Sequence, residues 1–298
     1  MAEKWDDQFD YLNATRSLYH NQDYWQFLVT DVWRLDRRPC SIVDFGCGFG
    51  WAGLFLMPML APGSDYTGVD LSEPLLERGR ALFATRTYDA KFVQSDANST
   101  PFDDSQFDVA FAHTLLMHLP EPRTALAEMI RVTRDRGLVI ACEANRNSIN
   151  ALLHVHETDE QDHMPLSMFQ AMNAHIRRQT GVDYNIGMKV PVLMHQAGLQ
   201  DVQARISDAV RLIFPPLDTS EKELVFKAVC DDGLGAAPTD EKSFDKALAS
   251  LTARGVAKDE AAAELRREMK NDYRHRGPDY HIVQPGLITI SFGTVSKR

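Results

Sequence analysis

The stretch Val43-Asp44-Phe45-Gly46-Cys47-Gly48-Phe49-Gly50-Trp51-Ala52-Gly53 decides the fold. The apolar run Ser41 to Phe45 predicts a strand, the alternating glycines a tight turn, and Trp51 to Leu60 a helix that stops before Pro62-Gly63. Glycine suits such a turn because positive φ costs it little and no Cβ blocks a ligand's approach to the backbone. The helix N-terminus that follows offers N–H groups and partial positive charge. This pattern points to a nucleotide-like ligand. A dinucleotide fingerprint, G-x-G-x-x-G/A, asks for Gly or Ala where this chain has Trp51. The spacing here is G-x-G-x-G, a poor fit to the pyrophosphate turn.

Downstream, strands and helices alternate. Tyr66 to Asp70 predicts the second strand, and Ser72 caps a helix running to about Ala84 with Pro74 in its first turn. Lys91 to Gln94 and Phe107 to Ala112 predict the third and fourth strands, Pro122 to Thr133 a helix, and Gly137 to Cys142 the fifth strand. Short apolar strands alternating with helices imply a parallel sheet covered on both faces. Upstream, Trp5 to Trp33 predicts two amphipathic helices, the second capped by Asn21. After Glu143 the alternation loosens. Ser148 to His156, Met164 to Arg178 and Val190 to Gln196 predict helices, and Asp201 to Phe214 a single strand closed by Pro215-Pro216. Thr219 to Arg274 predicts three helices broken at Gly233–Gly235 and near Gly255, and Leu287 to Val295 a last strand. The helical insertion of roughly 60 residues far exceeds an ordinary connection, and predicts a lid, a substrate cover or an oligomer contact such as a homodimer interface.

Three further residues stand at predicted strand ends. Asp70, 20 residues after Gly50, suits the two hydroxyls of an adenosine ribose. Asp96, after the third strand, suits the exocyclic amine of adenine. His113 follows the fourth strand. With Asp44, these residues lie at one edge of the sheet, outside the carboxyl ends of the strands, where open α/β sheets bind ligands.

Val43-Asp-Phe-Gly-Cys-Gly-Phe-Gly50, Tyr66-Thr-Gly-Val-Asp70-Leu-Ser, Gln94-Ser-Asp96-Ala, Phe107-Asp-Val-Ala and Leu116-Met-His118-Leu-Pro together resemble the class I S-adenosylmethionine-dependent methyltransferases. The subgroup they are most similar to is the small-molecule type that includes the ubiquinone/menaquinone-biosynthesis-like enzymes. The likeness spans about Pro39 to Asn145. It implies a doubly wound α/β fold, with seven mostly parallel strands and an antiparallel last strand. It implies transfer of the sulfonium methyl of S-adenosylmethionine to a small-molecule acceptor, leaving S-adenosylhomocysteine. By the resemblance, Gly46, Cys47 and Gly48 line the methionine part of the cofactor, and Asp44 holds its amino group. Asp70 and Leu71 hold ribose and adenine, Asp96 and Ala97 contact adenine, and His113 sits beside the sulfonium and the incoming nucleophile. Tyr11, Arg16, Asn21 and Tyr24 are lid candidates, with Arg16 facing the cofactor carboxylate. The chain then divides into a lid (1–36), a cofactor-binding core (37–214 with 283–298) and a helical insertion (215–282).

A base is needed where the acceptor must lose a proton, and His113, His118, Glu143 and His154 are the candidates. His154, His156, Glu157 and His163 have metal-ligating side chains. On the predicted helix, however, residues two apart point in different directions, and no metal is expected. The composition narrows the rest. With 32 Lys+Arg against 42 Asp+Glu, the net charge of −10 disfavours nucleic acid as a partner. No run of about 18–20 uncharged apolar residues is present to span a membrane. The acidic start does not resemble a signal peptide, and scattered Cys40, Cys47, Cys142 and Cys230 suit reduced thiols in a cytoplasmic protein. Two other classes stay open at this point: a nicotinamide-dependent oxidoreductase and a non-catalytic cofactor-binding module.

Overall fold

The computed structural model describes residues 9–16, 19–156, 166–232, 238–270 and 281–297. The N-terminal part holds α1 (Phe9–Arg16) and α2 (Gln22–Phe27). The alternating part is β1 (Ser41–Phe45), α3 (Trp51–Leu56), β2 (Asp65–Asp70), α4 (Glu73–Phe83), β3 (Asp89–Gln94), β4 (Phe107–His113), α5 (Pro122–Val132) and β5 (Thr133–Ala144). The remainder is α6 (Arg146–Leu152), β6 (His154–Val155), α7 (Leu166–Thr180), α8 (Val190–Gln196), β7 (Gln200–Ile206), β8 (Val210–Ile213), α9 (Ser220–Asp232), α10 (Glu241–Ala253), α11 (Lys258–Lys270), β9 (Ile282–Pro285) and β10 (Ile288–Thr294).

Seven strands form one sheet in the order β3-β2-β1-β4-β5-β10-β7. β10 runs antiparallel to both neighbours, and β1 to β5 pair in parallel. This is the expected doubly wound sheet with an antiparallel last strand. The chain order reverses at β1, so the carboxyl ends of β1, β2 and β4 meet where such sheets bind ligands. Ser72 caps α4 by accepting the Leu75 N–H, as the sequence predicts.

The predicted single strand Asp201 to Phe214 is corrected to two strands in two sheets. β7 stays in the main sheet, and β8 joins a second, antiparallel sheet of order β6-β9-β8. The paired ribbon bends as a unit: β7 turns into β8 at 207–209, and β9 turns into β10 at Gly286-Leu287. Ser207 N–H donates to the Ile288 carbonyl and Gly286 N–H to the Ala209 carbonyl, so the bend keeps its backbone groups paired. Leu287 takes a φ of 43° there. A run of Val and Ile reports strand propensity and carries no sign of such a bend. The predicted helix Ser148 to His156 likewise ends at Leu152, and His154 enters β6.

α2 belongs to the core. Trp25, together with Leu28 and Val29 of the π-helical turn (Leu28–Val32) that continues α2, is fully buried in the main hydrophobic cluster with Phe45 and Phe111. Asn21 does not cap α2; its Oδ1 accepts from Arg211 at 2.7 Å instead. A second cluster joins α7 to α10 and α11 through Met168, Met172, Phe244, Leu251 and Leu265, and α9 packs against α1. Burial of each large side chain of α2 contributes on the order of 1.5–3 kcal/mol. Leu28→Ala is therefore expected to destabilise the whole chain by about 2–5 kcal/mol in urea unfolding. A loss under about 0.5 kcal/mol would show α2 to be a detachable flap.

Candidate active site

The turn after β1 is held from below by β2. Cys47 N–H donates to the Val69 carbonyl at 3.0 Å, and Gly48 N–H donates to Asp70 Oδ2 at 2.8 Å. Asp70 Oδ1 accepts the Ser72 N–H at 2.9 Å. One carboxylate thus ties the glycine turn to the start of α4. Burial raises the Asp70 carboxyl above its usual range, and these N–H donors pull it back. Gly46 has a φ of 66°, and a Cβ there would lie 2.7 Å from Leu115 Cδ1. The close approach of the β1 and β4 turns therefore requires glycine.

Asp44 is 2% exposed. Its Oδ2 accepts the Tyr66 hydroxyl at 2.6 Å, whereas Oδ1 is buried without a hydrogen bond. Burial pushes its carboxyl up to about 7. A buried, under-satisfied acceptor costs free energy until a donor reaches it.

The turn after β4 is fixed by Glu143, at the end of β5. The Glu143 carboxylate accepts three backbone N–H groups: Leu115 at 3.0 Å and Leu116 at 2.7 Å on Oε1, and Met117 at 3.2 Å on Oε2. Burial pushes its carboxyl up to about 7 against these donors. Thr114, at the head of the turn, has a φ of 50°. That is unusual for a β-branched residue and is the kind of strain that gathers at functional sites. Glu143 is fully buried and does not line the cleft. This base candidate thus sits behind the cleft, where both of its oxygens accept backbone N–H groups of the turn.

His113 is buried in a chain of hydrogen bonds that reaches into the N-terminal helices. Trp25 Nε1 donates to His20 Nδ1 at 2.8 Å, and His20 Nε2 meets His113 Nε2 at 2.6 Å. Arg16 contacts His113 Nδ1 and donates to Thr114 Oγ1 at 2.5 Å. The Trp51 ring stacks on His20 at 5.2 Å. Burial first, and then the Arg16 charge, lower the pKa of both imidazoles well below the usual histidine value. Nothing in the sequence marks His20, whose partner lies 93 residues away.

These turns wall a half-open cleft lined by Leu12, Arg16, Gly46, Gly48, Asp70 and Leu71 on one side. Asp96, Ala97, Thr114, Leu115 and His118 also line it, with Val69, Leu75, Ser95 and Leu119. Seven of the predicted cofactor residues (Arg16, Gly46, Gly48, Asp70, Leu71, Asp96 and Ala97) therefore converge there. Asp96 Oδ1 also closes a local turn by accepting Asn98 N–H at 2.8 Å. Leu71, 43% exposed, offers an apolar surface at the rim. Asp44, Cys47 and His113 lie behind the lining, and Asn21 is engaged with Arg211. The side chain of Tyr11 lies outside the described residues. Of the four base candidates, His118 lines the cleft. His154 is exposed on the second sheet and is absent from the lining. His154, in β6, and His156, just after it, lie with ring centroids 6.0 Å apart, outside the predicted helix. His163 and Glu157 lie outside the described residues, among which no group of three His, Cys, Asp or Glu is disposed to hold a metal. The contributions of Leu12, Leu75, Thr114 and Leu115 escaped the sequence, since nothing local marks a residue that becomes a wall through tertiary packing.

Residues 43–141 match a family model described as a methyltransferase domain. Demethylmenaquinone methyltransferase of Staphylococcus aureus (strain JH9) is 32% identical over 113 residues, covering 38% of this chain and 46% of that enzyme. The chain thus matches about half the length of the curated relatives. Among solved structures, the [4+2]-cyclase SpnF superposes with a TM-score of 0.53 at 16% identity, covering 100% of this chain and 95% of that one. Phosphoethanolamine N-methyltransferase 2 of Haemonchus contortus, in complex with phosphomonomethylethanolamine and S-adenosylhomocysteine, gives 0.53 at 13% identity, covering 99% and 60%. At these identities the structures establish the shared fold. The matched region carries the resemblance to class I small-molecule methyltransferases.

The Glu143 carboxyl binds its proton more tightly folded than unfolded. Its contribution to stability is therefore full below about pH 4.5 and is lost as the pH rises through 7. Glu143→Gln does not titrate. The stability of the wild type relative to this variant is expected to fall by up to about 3 kcal/mol between pH 4.5 and 8. Urea unfolding of both chains across that range measures it, and a constant difference would place the carboxyl's pKa at its ordinary value.

Proposed function

We propose that this chain is an S-adenosylmethionine-dependent methyltransferase acting on a small-molecule acceptor. The observation that carries the proposal is the convergence of the glycine turn, Asp70 and Asp96 on one cleft within the region that matches the methyltransferase domain. The fold alone leaves the chemistry open, since a cyclase shares it.

The residues suit the cofactor. The buried Asp44 Oδ1, which has no hydrogen bond, fits an ammonium group. Gly48, with no atom within 3.4 Å of where its Cβ would be, leaves the backbone approachable. Asp70 would take the ribose, Leu71 and Ala97 the faces of adenine, and Asp96 its amine. Cys47 contributes its backbone, since burial raises its thiol pKa well above the ordinary value. When bound, the cofactor supplies a methyl group on sulfonium, activated for in-line displacement. The protein's part is to orient the acceptor and keep water out. Leu12, Leu115 and Leu119 provide the apolar walls for this.

The division into 1–36, 37–214 with 283–298, and 215–282 follows on the same reading, with the last segment shaping the acceptor side. Free Cys40, Cys47 and Cys142 support a cytoplasmic setting. Among the described residues, no helix is long and apolar enough to cross a membrane. Exposed Leu212 and Phe214, at and beside β8, support a homodimer.

Calorimetric titration with S-adenosylhomocysteine, with NAD in parallel, tests the proposal. The first is expected to bind and the second not. Binding of NAD alone would return the glycine turn to hydride chemistry. Asp70→Ala is expected to weaken the homocysteine ligand about 10- to 1000-fold, or about 1.5–4 kcal/mol. A change below about threefold would mean that another group anchors the ribose. Methyl transfer from labelled cofactor to a metabolite pool distinguishes an enzyme from a binding module.

A further inference from the structure

Gly53 closes the stretch that decides the fold, yet it lies beyond the glycine turn, inside α3. Glycine inside a helix is unfavourable relative to alanine, so its place there calls for a reason. The reason is space. A Cβ on Gly53 would lie 2.6 Å from Tyr66 Cε2 and 2.7 Å from Tyr66 Cζ. The Tyr66 ring fills that space, stacked on Phe83 with centroids 5.3 Å apart and edge-on to Phe92 at 5.9 Å. Tyr66 pairs with Ile42 across the β1–β2 ladder, and Asp44 stands two residues further along β1, on the same face of the sheet. Packed in this way, the Tyr66 hydroxyl ends 2.6 Å from Asp44 Oδ2.

The phenol is a donor in that contact. Burial first, and then the Asp44 charge, hold its pKa well above the ordinary tyrosine value, so it keeps its hydrogen. Oδ2 is thereby occupied, and Oδ1 is buried with no hydrogen bond. Among the described residues, Arg16 of α1 acts on this carboxyl with opposite charge and Asp70 of β2 with like charge. Cys47 of the turn and Cys142 of β5 also face it, and burial keeps both thiols protonated. Burial leaves the Asp44 carboxyl at about 7, so near neutral pH a proton and a cation compete for Oδ1. An opposite charge within about 4–6 Å favours the ionised form, and one bridging water can carry the hydrogen bond.

We propose that Tyr66 is a positioning residue for cofactor binding: its hydroxyl occupies Asp44 Oδ2 and leaves Oδ1 open, where a proton is exchanged for the ammonium group of the ligand's amino acid. The inference rests on the methyltransferase reading. Asp44 gives up the hydrogen on Oδ1 to solvent and accepts an ammonium N–H in its place, directly or through a water. Gly53 belongs to the same device, because it admits the ring that carries the hydroxyl.

Calorimetry on the full chain tests this with two ligands. S-adenosylhomocysteine carries the ammonium group, and 5′-methylthioadenosine keeps the adenosine and lacks the amino acid. Affinity for the first is expected to fall about 5- to 10-fold from pH 8 to pH 6, while affinity for the second changes less than about twofold. Titration at pH 7 in phosphate and in imidazole, which differ in ionisation enthalpy, counts the protons released. Roughly half a proton per site is expected with S-adenosylhomocysteine, and none with 5′-methylthioadenosine. Asp44→Asn is expected to abolish the difference between the ligands, and a folded variant that retains it would overturn the assignment to Asp44. Tyr66→Phe keeps the ring and removes the donor. It is expected to move the pH at which S-adenosylhomocysteine affinity falls upward by at least about half a unit, with 5′-methylthioadenosine affinity unchanged. An unmoved profile in the folded variant would reduce Tyr66 to packing and overturn its role. Binding of both ligands with no proton release would overturn the inference and leave the methyltransferase reading standing. Binding of neither would overturn that reading and the inference with it.

Discussion

Three backbone N–H groups closing on one buried carboxylate set the geometry of this site. Glu143 stands at the end of β5, and the turn it receives belongs to β4. Without an acceptor, the N–H groups of Leu115, Leu116 and Met117 would be paired poorly or exposed, at a cost of about 1–3 kcal/mol for each group left buried. With it, Thr114 is held at positive φ and Leu115 is pressed against Gly46. The position of the β4 turn thus constrains the residue allowed in the β1 turn. The β1 turn is in turn tied to β2 by Asp70. Two carboxylates, each accepting backbone N–H groups, join the carboxyl ends of neighbouring strands into one rigid rim.

That rim explains which parts of the site were legible in the sequence. The glycine turn and Asp70 act locally, within one strand–turn–helix unit and the next strand, so their spacing carries the information. The alternating strands before Ala144 are legible for the same reason. Glu143 is different: a carboxylate at a strand end looks like a base until the turn that occupies it is placed beside it. His20 lies in a segment with no motif, and its partners are a tryptophan five residues on and a histidine in β4. The bend that divides 201–214 between two sheets depends on β9 and β10 turning with it, and no pattern within 201–214 records a partner so far along the chain. The pairing of α7 with α10 and α11 was hidden likewise, because each helix is amphipathic without indicating what covers it.

The N-terminal segment illustrates how one element serves both stability and the site. α2 and the π-helical turn that continues it are anchored by Trp25, Leu28 and Val29, all fully buried. The indole that fills the core also supplies the N–H that orients His20. Packing and tautomer are therefore set by one side chain, and the second depends on the first. α1, by contrast, reaches the cleft with Leu12 and Arg16. Its neighbour is α9, from the helical insertion. This wall of the cleft thus depends on parts of the chain that lie outside residues 43–141, the segment that matches the methyltransferase-domain model.

The charges around the cleft follow from the same arrangement. Asp44, Asp70 and Asp96 gather at the glycine-turn end, and burial raises the first two carboxyls. Arg16 and Thr114 meet the His113 imidazole beside them. The positive charge of Arg16 favours the ionised forms of Asp44, Asp70 and Glu143 and disfavours the charged forms of His20 and His113. One cation therefore helps keep the carboxylates charged and the imidazoles neutral. A ligand that brings an amine and hydroxyls to the carboxylates and a negatively charged oxygen to Arg16 is complementary to that arrangement. A ligand charged in the reverse sense would meet carboxylates with its anion and donors with its cation, at a cost of several kcal/mol for like charges brought together at an interface. The same few side chains that fix the walls of the cleft thus also set which charges suit it.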